Sequence, residues 1–190
     1  MRVVLIAPPG AGKGTQGQRI AERYGVPHFS SGELFRREVA RESAIGKTVR
    51  SYLEAGDLVP DDLVIKLLLP PIEETALAGG GYVLDGFPRT VAQAKAAAER
   101  GKVVNLVAQA VLHLTAPEDQ LVARLMARGQ HRKDDTADTI RHRLKIYADN
   151  AQPLLDYYAG RGLLININAS APTDGVSESI FAVLDPLERN

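Results

Sequence analysis

The sequence predicts a doubly wound α/β fold, a parallel five-stranded sheet flanked by helices. Three observations lead there. Five short apolar runs alternate with longer segments of helical periodicity, the order expected of βα units. The runs are apolar throughout instead of alternating with polar residues, as strands buried on both faces of a parallel sheet require. The first run, Val3–Ala7, passes through a turn rich in Gly and Pro straight into a helical pattern opened by Lys13.

Taken in order, the strand-like runs are Val3–Ala7, a short His28–Ser30, Tyr82–Leu84, Val111–Leu114 and Leu163–Ile167. Helical patterns fill Lys13–Tyr24, Glu33–Glu42, Gly46–Ala55, Asp62–Leu69, Val91–Arg100, Pro117–Ala127, Thr139–Tyr158 and Val176–Leu187. Between the second and third strands lie more residues than one crossover needs. The excess, about Ser30 to Val59, reads as an inserted helical subdomain. Pro70-Pro71 should break or kink the helix begun near Asp62, because proline lacks the N–H and clashes with the preceding turn. Pro153 should kink the long helix near the C-terminal end. Ala76–Gly81 reads as a loop.

The 190 residues suit one domain, or one core carrying small inserted subdomains. Twenty-three basic residues balance twenty-three acidic ones, so no overall field favours nucleic acid or an anionic membrane. The absence of Cys excludes disulfides and thiolate metal sites. No stretch approaches the roughly twenty apolar residues of a membrane helix. The start of the chain lacks the apolar core and cleavage site of a signal peptide, so the expectation is a soluble cytoplasmic protein.

The turn Ala7-Pro8-Pro9-Gly10-Ala11-Gly12-Lys13-Gly14-Thr15 places bare backbone N–H groups at a helix N-terminus, where partial positive charge accumulates. Gly10, Gly12 and Gly14 let that backbone approach a phosphate without an intervening Cβ. Lys13 supplies a point charge for the β- and γ-phosphates, and Thr15 can bond phosphate or help hold Mg²⁺. The turn departs from the strict GxxxxGK[ST] pattern twice: Ala7 stands at the first Gly, and Gly14 separates Lys from Thr. The bland alternative is a strand–turn–helix whose glycines only relieve strain. Ala7 costs on the order of 1 kcal/mol if its position demands φ > 0, and little otherwise. Tyr82-Val83-Leu84-Asp85 is an apolar strand ending in a carboxylate. Beside a phosphate loop Asp85 would hold Mg²⁺, through water because Mg²⁺ dehydrates reluctantly; alone it could serve only the turn.

Asp85 continues as Gly86-Phe87-Pro88-Arg89-Thr90-Val91-Ala92-Gln93. With the glycine-rich loop and Ser30-Ser31-Gly32-Glu33-Leu34-Phe35-Arg36, this resembles the nucleoside monophosphate kinases, most closely the short-lid adenylate kinases. The likeness continues through Ala55–Pro60, Arg124–Arg128, Arg132-Lys133-Asp134-Asp135, Thr139–Leu144 and Pro153–Tyr158, almost the whole chain in order. It implies a single P-loop kinase domain over residues 1–190, with an inserted NMP-binding subdomain at 30–59 and a short lid at 127–135. It also implies residue roles. Gly10, Ala11, Gly12, Lys13, Gly14 and Thr15 wrap the ATP phosphates. Ser31 lies beside the AMP base and Arg36 binds its phosphate. Asp57, Leu58 and Val59 line the adenine pocket with their backbone. Gly86, Phe87, Pro88 and Arg89 contact AMP, Arg89 on the phosphate, and Gln93 reads the adenine edge. Arg124 and Arg128 face ATP from the lid, while Arg132 and Arg143 reach the phosphates being exchanged. Ala171 offers its carbonyl to the ATP adenine. Asp134 and Asp135 position the lid arginines, or form an acidic pair at a helix start.

The implied activity is reversible transfer of the γ-phosphoryl of Mg-ATP to AMP, giving two ADP, by a monomer with no zinc, nucleic-acid or membrane partner. The acceptor is already a phosphate anion, so no general base is needed, and alignment and charge stabilisation carry the catalysis. Lys13, Arg89, Arg124, Arg128, Arg132 and Arg143 are the catalytic set. Any one of these arginines alone would read as an exposed helix charge, as Arg37, Arg41, Arg50 and Arg141 do. His131 with Asp134 lacks the partners of a zinc site, and His28, His113 and His142 read as structural or exposed. Two alternatives stay open. A UMP/CMP kinase on the same fold would carry Asn at Gln93 and Ala at Ser31, and a nucleotide-binding sensor would not need the arginine set.

Overall fold

The computed structural model describes residues 1–78, 80–103, 105–129 and 136–188. Its five strands are β1 Arg2–Ile6, β2 His28–Ser30, β3 Tyr82–Asp85, β4 Ala110–Thr115 and β5 Leu164–Asn168. They form one all-parallel sheet in the order β2-β3-β1-β4-β5. Its helices, among the described residues, are α1 Lys13–Tyr24, α2 Ser31–Ala40, α3 Ala44–Ala55, α4 Asp61–Leu77, α5 Val91–Val103, α6 Glu118–Gly129, α7 Ala137–Ala159 and α8 Thr173–Glu188. None of them is long and apolar enough to cross a membrane.

The two-residue period of a strand divides the core between the faces of the sheet. From β1, Val3 and Leu5 join one cluster with Ile20 of α1 and Val176, Ile180 and Leu184 of α8. Val4 and Ile6 point the other way, toward Val64 and Leu68 of α4 and Leu154 and Tyr158 of α7. Strand β4 repeats the split, Leu112 and Leu114 to the first side and Val111 to the second. These two layers over one sheet are the doubly wound arrangement.

All five expected strands form, and every expected helix overlaps an observed one. At the prolines neither helix is broken. Helix α4 runs unbroken through Pro70-Pro71 and reaches Leu77, two residues into the segment read as a loop. Its buried Val64, Leu68 and Ile72 lie one turn apart on a single stripe on both sides of the prolines, so packing holds both halves in register. Pro70 and Lys66, whose carbonyl loses its partner, both sit on the exposed face, where water can take the freed carbonyl. Helix α7 likewise passes through Pro153, with Pro153 and Asp149 exposed and Ala151, Leu154 and Tyr158 buried. In both helices burial outweighs local propensity.

Two helix starts use the expected chemistry. Ser43 Oγ accepts the Gly46 N–H at 2.9 Å to cap α3, and Thr136 Oγ1 accepts the Thr139 N–H at 3.2 Å to cap α7. Helices α2 and α3 form the hairpin that occupies most of the stretch read as an insert; Ser43 Oγ also donates to Glu38 O across their junction.

Tyr82 on β3 is 4% exposed and donates its hydroxyl to Leu106 O at 2.9 Å, tying the loop after α5 to the sheet. Burial raises its phenol well above the ordinary range. Tyr82→Phe should therefore cost about 1–2 kcal/mol, since it leaves a carbonyl without its donor in the interior. Denaturant unfolding of both proteins checks this; equal midpoints would show that water replaces the bond.

Candidate active site

The carboxyl ends of the strands open into a cleft of about 880 Å³, within the range of small-molecule sites. The phosphate-loop residues form one wall. β1 ends at Ile6, the loop follows, and α1 begins at Lys13 with Gly12 as its N-cap in the left-handed region at φ 86°. No side chain caps this helix, so its first-turn N–H groups keep their pull on an anion. Gly10 is also left-handed at φ 88°. A Cβ on Gly10 would stand 2.6 Å from Leu121 O, whereas one on Gly12 would meet nothing within 4 Å. Lys13 Nζ folds back to donate to Ala7 O at 2.7 Å and Pro8 O at 3.3 Å, bracing the two ends of the loop. Ala7 itself is 5% exposed and packs in the core, and its φ is not positive. The departure from Gly is therefore unstrained.

Asp85 ends β3 opposite Leu5 in the sheet and is 8% exposed. Its Oδ2 lies 3.9 Å from where a Cβ on Gly14 would be, which puts the carboxylate beside the first turn of α1. His28 lies behind it, Nε2 4.0 Å from Asp85 Oδ2. Among the described residues no group of three or more His, Asp or Glu gathers as a metal cage.

Across the cleft stand arginines from three elements. Arg36 of α2, Arg89 after β3 and Arg143 of α7 all line it. Arg89 Nε donates to Gly86 O at 2.8 Å, and Ser31 Oγ donates to the same carbonyl at 2.8 Å. Arg89 is open to the cleft but enclosed by protein elsewhere. That enclosure pulls its guanidinium below the ordinary arginine range, with Asp85 opposing the shift and Arg143 adding to it. Two guanidinium groups that disfavour one another across a cleft form a site that an anion would relieve. Arg143 Nη2 also donates to Leu53 O at 3.3 Å, and its neighbour His142 meets Asp57 at 2.6 Å, so α7 clasps the turn after α3. At the far end Arg124 donates to Ala169 O at 2.8 Å and Ser170 O at 3.3 Å, shaping the turn that carries Ala171.

Of the residues singled out from the sequence, Gly10 to Thr15, Arg36, Asp57, Leu58, Asp85, Gly86, Pro88, Arg89, Arg124, Arg143 and Ala171 share this one cleft. Ser31, Val59, Phe87 and Gln93 are buried and are not on its wall. Arg132, His131, Asp134 and Asp135 lie outside the described residues, as does the side chain of Arg128. Sequence reasoning missed Tyr147, Asn150 and Leu154, which line the cleft four, seven and eleven residues after Arg143. The helical period from Arg143 is the signal that finds them. Tyr147 is braced by His113 Nε2 at 2.9 Å, and His113 Nδ1 meets Asn166 at 3.0 Å. Burial lowers the His113 pKa, with Asn166 opposing, and pushes the Tyr147 phenol up to about 12, so both are neutral at pH 7.

A glycine-rich loop at the carboxyl end of an inner parallel strand, facing arginines across one cleft, defines a P-loop nucleotide-binding protein. Comparison with known proteins narrows the class. The sequence model of the family Adenylate kinase matches residues 5–163. An adenylate kinase of Nocardia farcinica is 43% identical over 97% of this chain and 99% of its own length. One of Corynebacterium urealyticum is 42% identical over 97% and 99%, and one of Methylorubrum extorquens is 45% identical over 97% and 96%. The chain belongs to the adenylate kinase family.

Replacing either left-handed glycine should expose the difference between them. Gly12→Ala carries only the backbone cost, about 1–2 kcal/mol, whereas Gly10→Ala also drives a methyl into the Leu121 carbonyl and should cost more. Unfolding midpoints of the two variants test this, and equal losses would contradict it.

Proposed function

We propose that the chain transfers the γ-phosphoryl group of Mg-ATP to AMP, reversibly, giving two ADP. The observation that carries this reading is the two-sided cleft. One wall is a phosphate loop at a helix N-terminus, and the other carries the guanidinium groups of Arg36, Arg89 and Arg143 from three separate elements. A cleft that only bound a nucleoside triphosphate would need the first wall alone. The second fits another phosphorylated substrate, and family membership makes it AMP.

In this reading Gly10 to Thr15 enfold the ATP phosphates, with Lys13 exchanging its loop carbonyls for phosphate oxygens. Arg36 and Arg89 hold the AMP phosphate. Arg143, with Arg132 and Arg128 from the lid, meets the group in transit, and Arg124 holds the turn where the Ala171 carbonyl receives the ATP adenine. Asp57 to Val59, Ser31 and Gly86 to Pro88 shape the AMP pocket, and Gln93 reads its base. Asp85, one buried carboxylate beside the loop, fits a Mg²⁺ held through water, which draws charge off the phosphates. Arginine forks fix each phosphate oxygen, so the two nucleotides meet in line and without water between them. No zinc is required. Both walls come from one chain, which supports a monomer, and the reaction belongs to the cytoplasmic nucleotide pool.

Transfer requires water to be excluded. Residues 30–59 carry Arg36 in the hairpin of α2 and α3, and the lid read from the sequence at 127–135 carries Arg128 and Arg132, so both segments should close over bound nucleotides. Structures with and without a bisubstrate analogue that superpose throughout, both segments included, would refute this. The activity itself is tested by supplying Mg-ATP with AMP, GMP, CMP and UMP in turn and resolving the products. ADP from AMP should dominate, and equal use of UMP would overturn the reading. Lys13→Ala should lower turnover about a hundredfold or more while the fold persists, because its charge matters most as charge develops in transfer.

A further inference from the structure

Gln93, in the first turn of α5, is 1% exposed, and its side-chain amide is held from both ends. Oε1 accepts the Arg89 backbone N–H at 2.7 Å, and Nε2 donates to Asp61 Oδ1 at 2.6 Å. The other Asp61 oxygen accepts from Thr90 Oγ1 at 3.0 Å, and that hydroxyl accepts the Gln93 backbone N–H at 3.1 Å. The result is a closed ring of Asp61, Thr90 and Gln93 at the junction of α4 and α5.

The polarity of these partners leaves one orientation for the amide. A backbone N–H can only donate, and a carboxylate can only accept. Turning the amide over would set its oxygen against a carboxylate and its NH₂ against an N–H, two repulsive contacts in a buried place. The bonds described use one of the two Nε2 hydrogens and one of the two Oε1 lone pairs. Among the described residues the remaining hydrogen and lone pair have no partner, and buried groups of that kind ordinarily find one.

An amide with one N–H and one lone pair to spare offers them as a neighbouring donor and acceptor in fixed order. A 6-aminopurine matches it, its amino group donating to Oε1 and its N1 accepting from Nε2. A 6-oxopurine presents the reverse order, an acceptor toward Oε1 and an N–H toward Nε2. It could bind only if Gln93 turned over. We infer that Asp61 is a positioning residue for base selection, which excludes 6-oxopurine monophosphates by holding the Gln93 amide in one orientation. The inference rests on the proposed transfer to AMP. Presenting that edge to a base calls for a local adjustment of the cleft wall, of the kind proposed for residues 30–59.

Inosine monophosphate is the probe, since it differs from AMP only in this edge. The parent should strongly prefer AMP. Asp61→Asn keeps the shape, but its side-chain amide can present either an oxygen or an NH₂ to Gln93, so a turned amide meets one repulsive contact, with the Arg89 N–H, instead of two. The ratio of kcat/KM for AMP over inosine monophosphate should fall about tenfold or more. The change should lie in KM for the monophosphates, with KM for ATP and the thermal midpoint near parental values. Thr90→Val, which removes the second hold on the carboxylate, should shift the ratio the same way by less, and it carries the test if Asp61→Asn does not fold. A parent inactive on AMP would overturn the functional reading and this inference with it. A parent active on AMP that uses both monophosphates equally, or whose folded variants keep its ratio, would overturn the inference alone.

Discussion

The uncapped N-terminus of α1 is the constraint on which the rest of the structure depends. A helix start that leaves its N–H groups for an anion has to be held by something other than a capping side chain. Here it is held by its surroundings: β1 lies in the interior of the sheet between β3 and β4, Gly10 presses against the backbone of α6, and Ile20 anchors the helix in the core. The parallel sheet is what allows this. With all strands running the same way, the ends of β1 and β3 and the turn after β5 converge on one edge, and each delivers a different part of the site there.

Helix α7 organises the opposite wall. One face packs Leu154 and Tyr158 into the core, and the stripe from Arg143 through Tyr147 to Asn150 faces the cleft. His142 and Arg143 clasp the turn after α3, and His113 with Asn166 fixes Tyr147 against the sheet. Arg143 is thus set by a long-range contact, whereas Arg89 is held locally through Gly86 O.

Local patterns revealed most of this in the sequence. The strands were legible because each is a short apolar run, and the phosphate loop because its glycines, Lys13 and Thr15 stand at fixed spacing after one. Asp85 was legible as the last residue of such a run. What stayed hidden depends on contacts between distant segments. Pro70-Pro71 reads as a break because proline's local cost is visible, while the packing of Val64, Leu68 and Ile72 that overrides it is not. Gln93 could be named from its motif, but its hydrogen bonds to Asp61 and to the Arg89 backbone could not. Asp61 went unnoticed, being one more acidic residue in the first turn of a helix.

The position of Lys13 changes what nucleotide affinity measures. Its ammonium is already satisfied by the carbonyls of Ala7 and Pro8, so a phosphate does not meet a bare cation but displaces two internal acceptors. The free energy of that contact is the difference between two sets of hydrogen bonds, smaller than either. Such an exchange favours rapid release, and in a reversible reaction both products must leave as readily as the substrates arrive. The loop that grips the triphosphate therefore also carries the competitor that loosens it.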